Sequence, residues 1–460
     1  MADRAQERSA LFVATLTSFM GPFIISSVNV ALPSIQREFS INAIQLSWIA
    51  TSLLVAVAVT LVPAGRIADI YGRKKIFTLG LVIYTLATGF AGFSGSAEML
   101  ILFRVIQGVG AAMFVTTGMA ILTSIFPPQK RGRVIGIYVA AVYIGLSAGP
   151  FIGGMLTQHL GWRSIFFVVF PFGIASIWIT LKYLKGEWAD AKGETLDIAG
   201  TVLYAISIFS LVYGSSLLPD VKAFYFGIGG VISFYAFIRR QLSTRFPVFE
   251  VRLFSQNRLF TFSSIAALIH YSATFSVTFF ISLYLQYIKA IPPQVAGTLL
   301  VAQPLMMALF SPLAGRLSDR IEPRKIASSG MLLTAIGLFL FASIGKTTGS
   351  GFIVGVLAML GFGFALFSSP NMNAIMGSVE KKFFGIASGA VATMRLLGQM
   401  TSMAVAMVVF AVFIGHEQIS PDNYDRFLKA LNVSFIIFAL MCCIGIFFSL
   451  FRGELRNETK

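Results

Sequence analysis

Charge is what this chain has least of. Of its 460 residues 12% are charged and 56% hydrophobic, and the mean hydropathy is +0.82. That is too little polar surface for a soluble fold of this length, and it places the chain in a bilayer. Cysteine is nearly absent: Cys442 and Cys443 are the only two, and as neighbours in an apolar run they suit neither a disulfide nor a metal site. The three histidines, His159, His270 and His416, have no ligand-like spacing, and no nucleophile stands beside a base; no metal and no enzyme activity are expected. There is no GxxxxGK[ST] loop, so ATP hydrolysis is not expected, and no cofactor is called for. The net charge of +16 is spread over short loops, not gathered in one stripe, which argues against nucleic acid as a partner.

A further absence concerns carboxylates. All 19 acidic residues fall in loops or at the ends of apolar runs; Asp69 and Asp319 belong to short polar connections, and Glu98 and Asp197 mark helix starts. A site for lipophilic cations ordinarily carries a buried carboxylate, so the positive balance left in the interior favours neutral, amphipathic or anionic substrates.

What is present is repetition. GRIADIYGRKK at Gly65 to Lys75 returns as GRLSDRIEPRK at Gly315 to Lys325, 250 residues on, and each copy lies between two membrane-length apolar runs. Fourteen such runs are expected, the first at 11–32 and the last at 430–451. The first lacks a small-residue cleavage site and reads as a retained span. The order implies parallel repeats: a six-helix bundle at 1–184, two extra transmembrane helices and linkers at 185–245, and a second six-helix bundle at 246–460. The fold class is therefore an all-α polytopic membrane protein. Most Lys and Arg fall on one side when both termini are cytoplasmic, which fixes the expected orientation. Residues 246–258 are expected to form a short interfacial helix, and the polar loop His416 to Arg426 is assigned no chemistry.

A charge in hydrocarbon costs about 2.5–3.5 kcal/mol even by low estimates and demands a reason. Arg104 lies inside the fourth run with Gln107 one turn on; it either lines or gates a cavity or bonds to neighbouring helix ends. Arg395 and Gln399 form a similar pair. His270, beside Tyr271, is the titratable group of the expected core best suited to exchange a proton near neutral pH and the candidate for proton coupling, or else a satisfied polar residue between helices. Asn29, Gln303, Asn371 and Asn373 carry amides that bind neutral substrates or tie helices together, Pro304 interrupts its run, and Pro370 closes another. Gly145, Gly149, Gly153 and Gly154, with Pro150, present a small-residue surface suited to sliding or to static close packing. In GRIADIYGRKK, Gly65 and Gly72 permit a tight turn, Asp69 can cap a helix or pair with an arginine, Arg73, Lys74 and Lys75 face the cytoplasmic surface, and the whole is a gating clasp or a topology signal. Gly315 and Asp319 stand in the same places in the second copy.

These stretches resemble the major facilitator superfamily, and within it the fourteen-helix drug:proton antiporter branch. GRIADIYGRKK is similar to the motif between helices two and three, LFRVIQGVGAAM to the arginine-bearing motif of helix four, and GLSAGPFIGG to the antiporter motif of helix five. VNVALPSI at 28–35, GWRSIFFVVFPFG at 161–173, LYLQ at 283–286 and SPLAGRLSDR at 311–320 resemble further landmarks. The resemblance implies two six-helix bundles around a central cavity, alternating access, a plasma (inner) membrane location and export of amphipathic compounds. Ile24 stands where drug exporters of the family often carry an acid in helix one. The leading expectation is thus a monomeric secondary exporter of neutral or anionic amphipathic molecules, with proton coupling through His270 or another relay. A conventional cationic multidrug:proton antiporter and a non-transporting receptor or scaffold are the alternatives.

Overall fold

Apolar runs of this length satisfy their amides in hydrocarbon by coiling into helices. The computed structural model describes residues 2–379, 384–415 and 417–455, and the regular structure among them is helical. His416 lies outside the described residues.

Six helices open the chain: α1 (Ala2–Phe39), α2 (Ala43–Tyr71), α3 (Arg73–Ala91), α4 (Ala97–Ile125), α5 (Pro128–Leu160) and α6 (Ser164–Tyr183). The extra pair follows as α7 (Ile198–Ser216) and α8 (Lys222–Ser243). The remainder comprises α9 (Arg252–Gln256), α10 (Arg258–Thr274), α11 (Val277–Tyr287), α12 (Pro293–Leu300), α13 (Ala302–Ser318), α14 (Pro323–Phe341), α15 (Ser350–Gly377), α16 (Phe384–Phe413) and α17 (Tyr424–Phe451).

Among the described residues thirteen helical stretches are long and apolar enough to cross a membrane, with α10–α11 and α12–α13 each counting as one. The eighth expected span, α8, forms a helix but is not among the thirteen. Its last turns carry Arg239 and Arg240. The expected interruption at Gln303 and Pro304 is real: the helix breaks at Val301 and α13 starts at Ala302, because a proline near a helix start has no N–H to bond and disfavours helix before it. Pro370 does not close its helix, which runs on to Gly377. The expected interfacial helix at 246–258 shrinks to the single turn α9.

The chain divides into two compact units, one of residues 1–41, 48–211 and 228–248 and the other of 42–47, 212–227 and 249–460. Within the first, α1 packs on α5 and α6, and α3 on α4 and α6. Within the second, α10 packs on α16 and α17, α14 on α15 and α17, and α13 on α15. Apart from α13 on α15, the two schemes correspond pair for pair, with α1, α3, α4, α5 and α6 matched by α10, α14, α15, α16 and α17.

Glycine shows why. A Cβ on Gly110 of α4 would stand 2.5 Å from the Tyr84 amide and 2.6 Å from the Gly80 carbonyl of α3. In the second unit a Cβ on Gly363 of α15 would stand 2.8 Å from the Gly330 carbonyl of α14. Backbones meet at these points because neither side supplies a side chain. Gly108, against the Leu53 carbonyl of α2, and Gly361, against the Gln303 carbonyl of α13, make room from the glycine side alone.

Candidate functional site

In the first unit Arg104 is 1% exposed. Among the described residues neither its Nε nor its Nη1 meets a hydrogen-bond acceptor. A guanidinium cannot shed its charge, so desolvation without a full set of acceptors is costly by several kcal/mol. Gln107 donates from Nε2 to Thr88 Oγ1 on α3 at 2.7 Å, and Thr88 in turn donates to the Tyr84 carbonyl at 2.7 Å. The Gln107 Oε1 is left without a donor. Tyr84 reaches across to the Met20 carbonyl of α1 at 3.4 Å. Arg104 and Gln107 thus share a polar seam of α1, α3 and α4 with Tyr84 and Thr88, two residues that sequence reasoning passed over. Asn29 is buried on α1.

GRIADIYGRKK is largely helical: α2 runs through Gly65 and Asp69 to Tyr71, and only Gly72, at φ 120°, makes the turn into α3. Gly65 therefore has no turn to make and rests against Thr116 of α4, just as Gly315 rests in α13 against Ser369 of α15. Asp69 pairs with Arg73 at 2.7 Å, and Arg73 pairs also with Asp190 at 2.7 Å.

The segment after α6 folds back onto this motif. The Arg73 amide donates to the Trp188 carbonyl at 2.8 Å and the Ala191 amide to the Asp69 carbonyl at 2.9 Å. Glu187 accepts from the Lys74 and Lys75 amides, placing a carboxylate on the positive end of α3, whose N-cap glycine offers no side chain. Arg66 pairs with Glu194. The residues that do this, GEWADAKGET at 186–195, fall in the linkers expected at 185–245, and they form a latch. The signal lay in their three acids, Glu187, Asp190 and Glu194.

The second unit repeats the device with other residues. After α17 the Leu455 amide donates to Glu322 at 2.8 Å, Arg324 pairs with Glu454, and Arg258 donates to the Phe451 carbonyl at 3.0 Å. Arg452, 2% exposed, donates to Asn371 Oδ1 at 2.7 Å and to Ser263 Oγ at 3.3 Å, while Asn371 Nδ2 donates to the Ser263 carbonyl at 3.0 Å. Burial pushes the Arg452 guanidinium down to about 10, and the nearby Glu322 carboxylate opposes the shift. Asn371, expected in the substrate cavity, is instead engaged at both ends of its amide as a tie between α10, α15 and the end of α17. Asp319 caps α13 at its C-terminal end and is exposed.

His270 does not sit in a polar relay. It is fully buried, its ring centroid is 4.1 Å from that of Phe367 and 5.2 Å from that of Phe364, and neither nitrogen has a hydrogen-bond partner among the described residues. An imidazolium there would present two donors to apolar rings. That setting speaks against a proton relay at His270 and places its ring in an aromatic packing contact. Tyr271 lies edge-on to Phe364 at 5.4 Å. Among the described residues Gln303 is buried with no partner for its Oε1, and Arg395 is half-buried with none for its Nε.

The α5 glycines face α1 inside one unit. A Cβ on Gly145 would lie 2.6 Å from the Phe19 carbonyl, one on Gly153 would lie 2.5 Å from Ser27 Cβ, and one on Gly149 would strike Ser26 Oγ. Ser27 donates to the Gly149 carbonyl at 2.9 Å and Ser18 to the Tyr138 carbonyl at 3.0 Å. This is a hydrogen-bonded seam and α5 runs through Pro150 unbroken; static close packing, the second reading of these glycines, describes it better than sliding.

Two units with one helix order, thirteen crossing-length helical stretches and a buried guanidinium with two nitrogens lacking acceptors among the described residues define a polytopic membrane carrier. The chain belongs to the Major Facilitator Superfamily, whose sequence profile matches residues 11–269 and 263–460. It is 30% identical to the riboflavin transporter RibZ of Clostridioides difficile over 97% of both chains. It is 29% identical to the tetracenomycin C resistance and export protein of Streptomyces glaucescens, over 86% of this chain and 74% of that one. It is also 29% identical to the multidrug resistance protein Stp of Mycobacterium tuberculosis, over 88% and 77%. Among solved structures, a bacterial homologue of the lysosomal transporter Spinster superposes with a TM-score of 0.68 at 17% identity, covering 97% of each chain. A peptide transporter does so at 0.69 and 12%, covering 95% and 94%. The fold is thus that of a multi-pass secondary transporter.

Proposed function

We propose that this transporter exports neutral or anionic amphipathic small molecules by alternating access, in the manner of the fourteen-helix drug:proton antiporter branch. It works as a monomer in the plasma (inner) membrane with both termini cytoplasmic. The observation that carries the substrate class is Arg104: a buried cation with two nitrogens lacking acceptors attracts anions and hydrogen-bond acceptors and repels cations. The relatives named for riboflavin and tetracenomycin C support small-molecule transport of this kind. Gln303 and Arg395, each with an unpartnered polar atom, and Asn29 are the further residues assigned to substrate contact. The latch on GRIADIYGRKK controls the rate at which the carrier changes state, since closures of this kind respond to one or two kcal/mol.

The second reading is a cationic multidrug:proton antiporter, and one relative is named as a multidrug resistance protein. Purified protein in liposomes under an imposed pH gradient separates the two. Riboflavin, carboxyfluorescein and tetraphenylphosphonium serve as neutral, anionic and cationic probes, and R104A and R104K are compared with wild type. Flux of the first two probes, lost in R104A and partly kept in R104K at unchanged thermal stability, is the expected result. Gradient-driven flux of tetraphenylphosphonium that survives R104A would overturn it.

A further inference from the structure

At the end of the first unit that carries GRIADIYGRKK, the start of α7 and the end of α8 enclose a cleft of about 340 Å³. It is lined by Thr195, Asp197, Ile198, Arg240, Thr244 and Arg245, among others. Asp197 is fixed there: its carboxylate accepts from the Gly200 amide at 3.0 Å, Arg240 Nε at 2.6 Å and Gln241 Nε2 at 2.9 Å. Asp197 and Arg240 cancel in charge. Arg245 does not cancel; its guanidinium lies over the Phe246 ring at 5.2 Å from the centroid, and no ion pair is found for it among the described residues. The cleft therefore has one positive charge in excess, with threonine side chains in its wall.

Above it runs an apolar track. Ile198, itself part of the cleft, Val202, Ile206 and Phe209 are 68%, 48%, 46% and 47% exposed, and their spacing puts them along one face of α7. In a bilayer that face meets acyl chains, while the cleft sits where α7 emerges at the membrane surface. A singly charged polar head joined to an apolar tail fits both parts.

We propose that this cleft is a binding site for the phosphodiester headgroup of an anionic phospholipid, with Arg245 as the charge partner and the exposed face of α7 as the bed of the acyl chains. One uncompensated cation matches the one charge of a phosphodiester, and guanidinium suits phosphate geometry. Inorganic phosphate offers the same oxygens with no use for the apolar track, which is why the lipid is preferred.

The test is thermal unfolding of the full chain in detergent, titrated separately with dioleoylphosphatidylglycerol, dioleoylphosphatidylcholine and inorganic phosphate. The variants R245Q and R239Q are compared with wild type; Arg239 is exposed on α8 and is not among the residues lining the cleft. The expected result is saturable stabilisation by phosphatidylglycerol alone, with the half-saturating concentration raised about tenfold or more in R245Q and unchanged in R239Q. Equal stabilisation by phosphatidylcholine would remove the charge argument. Equal stabilisation by inorganic phosphate would make the ligand a free anion, and an unaltered titration in R245Q would show that the cleft does not bind the lipid.

Discussion

Glu187 Oε1 accepts the backbone amide of Lys74 at 2.7 Å, and its Oε2 accepts that of Lys75 at 3.2 Å. A residue beyond the end of α6 thereby caps α3, over 100 positions earlier in the chain, across the turn that Gly72 makes possible.

Removing that cap exposes two amides and the positive end of α3. Glu187→Ala should cost about 0.5–2 kcal/mol, the usual range for a lost cap, with E187Q in between. Differential scanning fluorimetry in detergent measures it, and transport rates in the same variants show whether the latch governs turnover. An unchanged melting temperature in E187A would mean that water replaces the carboxylate without loss.

The glycine contacts make a matched pair of predictions. Gly110→Ala and Gly363→Ala each force helix backbones apart, and overpacking of this kind costs about 1–3 kcal/mol. Gly229→Ala and Gly355→Ala, whose surroundings hold nothing within 4 Å of an added Cβ, should be neutral or slightly stabilising. Equal melting temperatures across all four would show that α3–α4 and α14–α15 are not held by backbone contact.

Asn371→Ala leaves the Arg452 guanidinium without its 2.7 Å acceptor. Hydrogen bonds to charged groups are worth about 1.5–3 kcal/mol, so unfolding should be eased by that much. A double-mutant cycle with Arg452→Met isolates the pair: a coupling indistinguishable from zero would place the stabilisation elsewhere.

His270→Leu should leave the pH dependence of transport as it is, because the imidazole lies against Phe367 with no group to pass a proton to. Transport at several imposed gradients reads this directly. Loss of gradient-driven flux in that variant, with folding intact, would restore His270 to the proton path.

Acid should loosen the start of α7. Burial alone would raise the Asp197 carboxyl, but the Gly200 amide, Arg240 and Gln241 outweigh it and hold it below its ordinary value of 3.8. A carboxyl depressed in the folded state stabilises fully above its unfolded value and loses that contribution as pH falls through the folded one. D197N should therefore be less stable than wild type at neutral pH, and the difference should shrink as pH falls below 3.8. A constant difference across that range would exclude the ionised form as its source.

The sequence displayed its membrane runs, its 250-residue repeat and the interruption at Pro304, because these depend on local composition and on chain geometry. What it concealed depends on partners far along the chain. Glu187, Asp190 and Glu194 read as a solvated link until their partners Lys74, Arg73 and Arg66 are seen. Asn371 read as a substrate amide because nothing local announces Arg452, 81 residues later. His270 titrates freely in isolation, and only the rings of Phe364 and Phe367 reveal its setting. Pro370 misled for the opposite reason: a local helix breaker was overruled by the packing of α15.

The glycine contacts carry a record of how the two units diverged. Gly80 and Gly330 are 250 positions apart, whereas Gly110 and Gly363, and Gly145 and Gly398, are 253 apart. The change of three falls between α3 and α4, joined by residues 92–96, and their counterparts α14 and α15, joined by 342–349. A helix cannot absorb such an insertion, since one added residue turns everything beyond it by about 100° and would carry Gly363 away from Gly330. The connection could, and the segment at 342–349 is accordingly the place in this carrier where an epitope or a fluorophore-binding tag can be inserted with the helix register left intact.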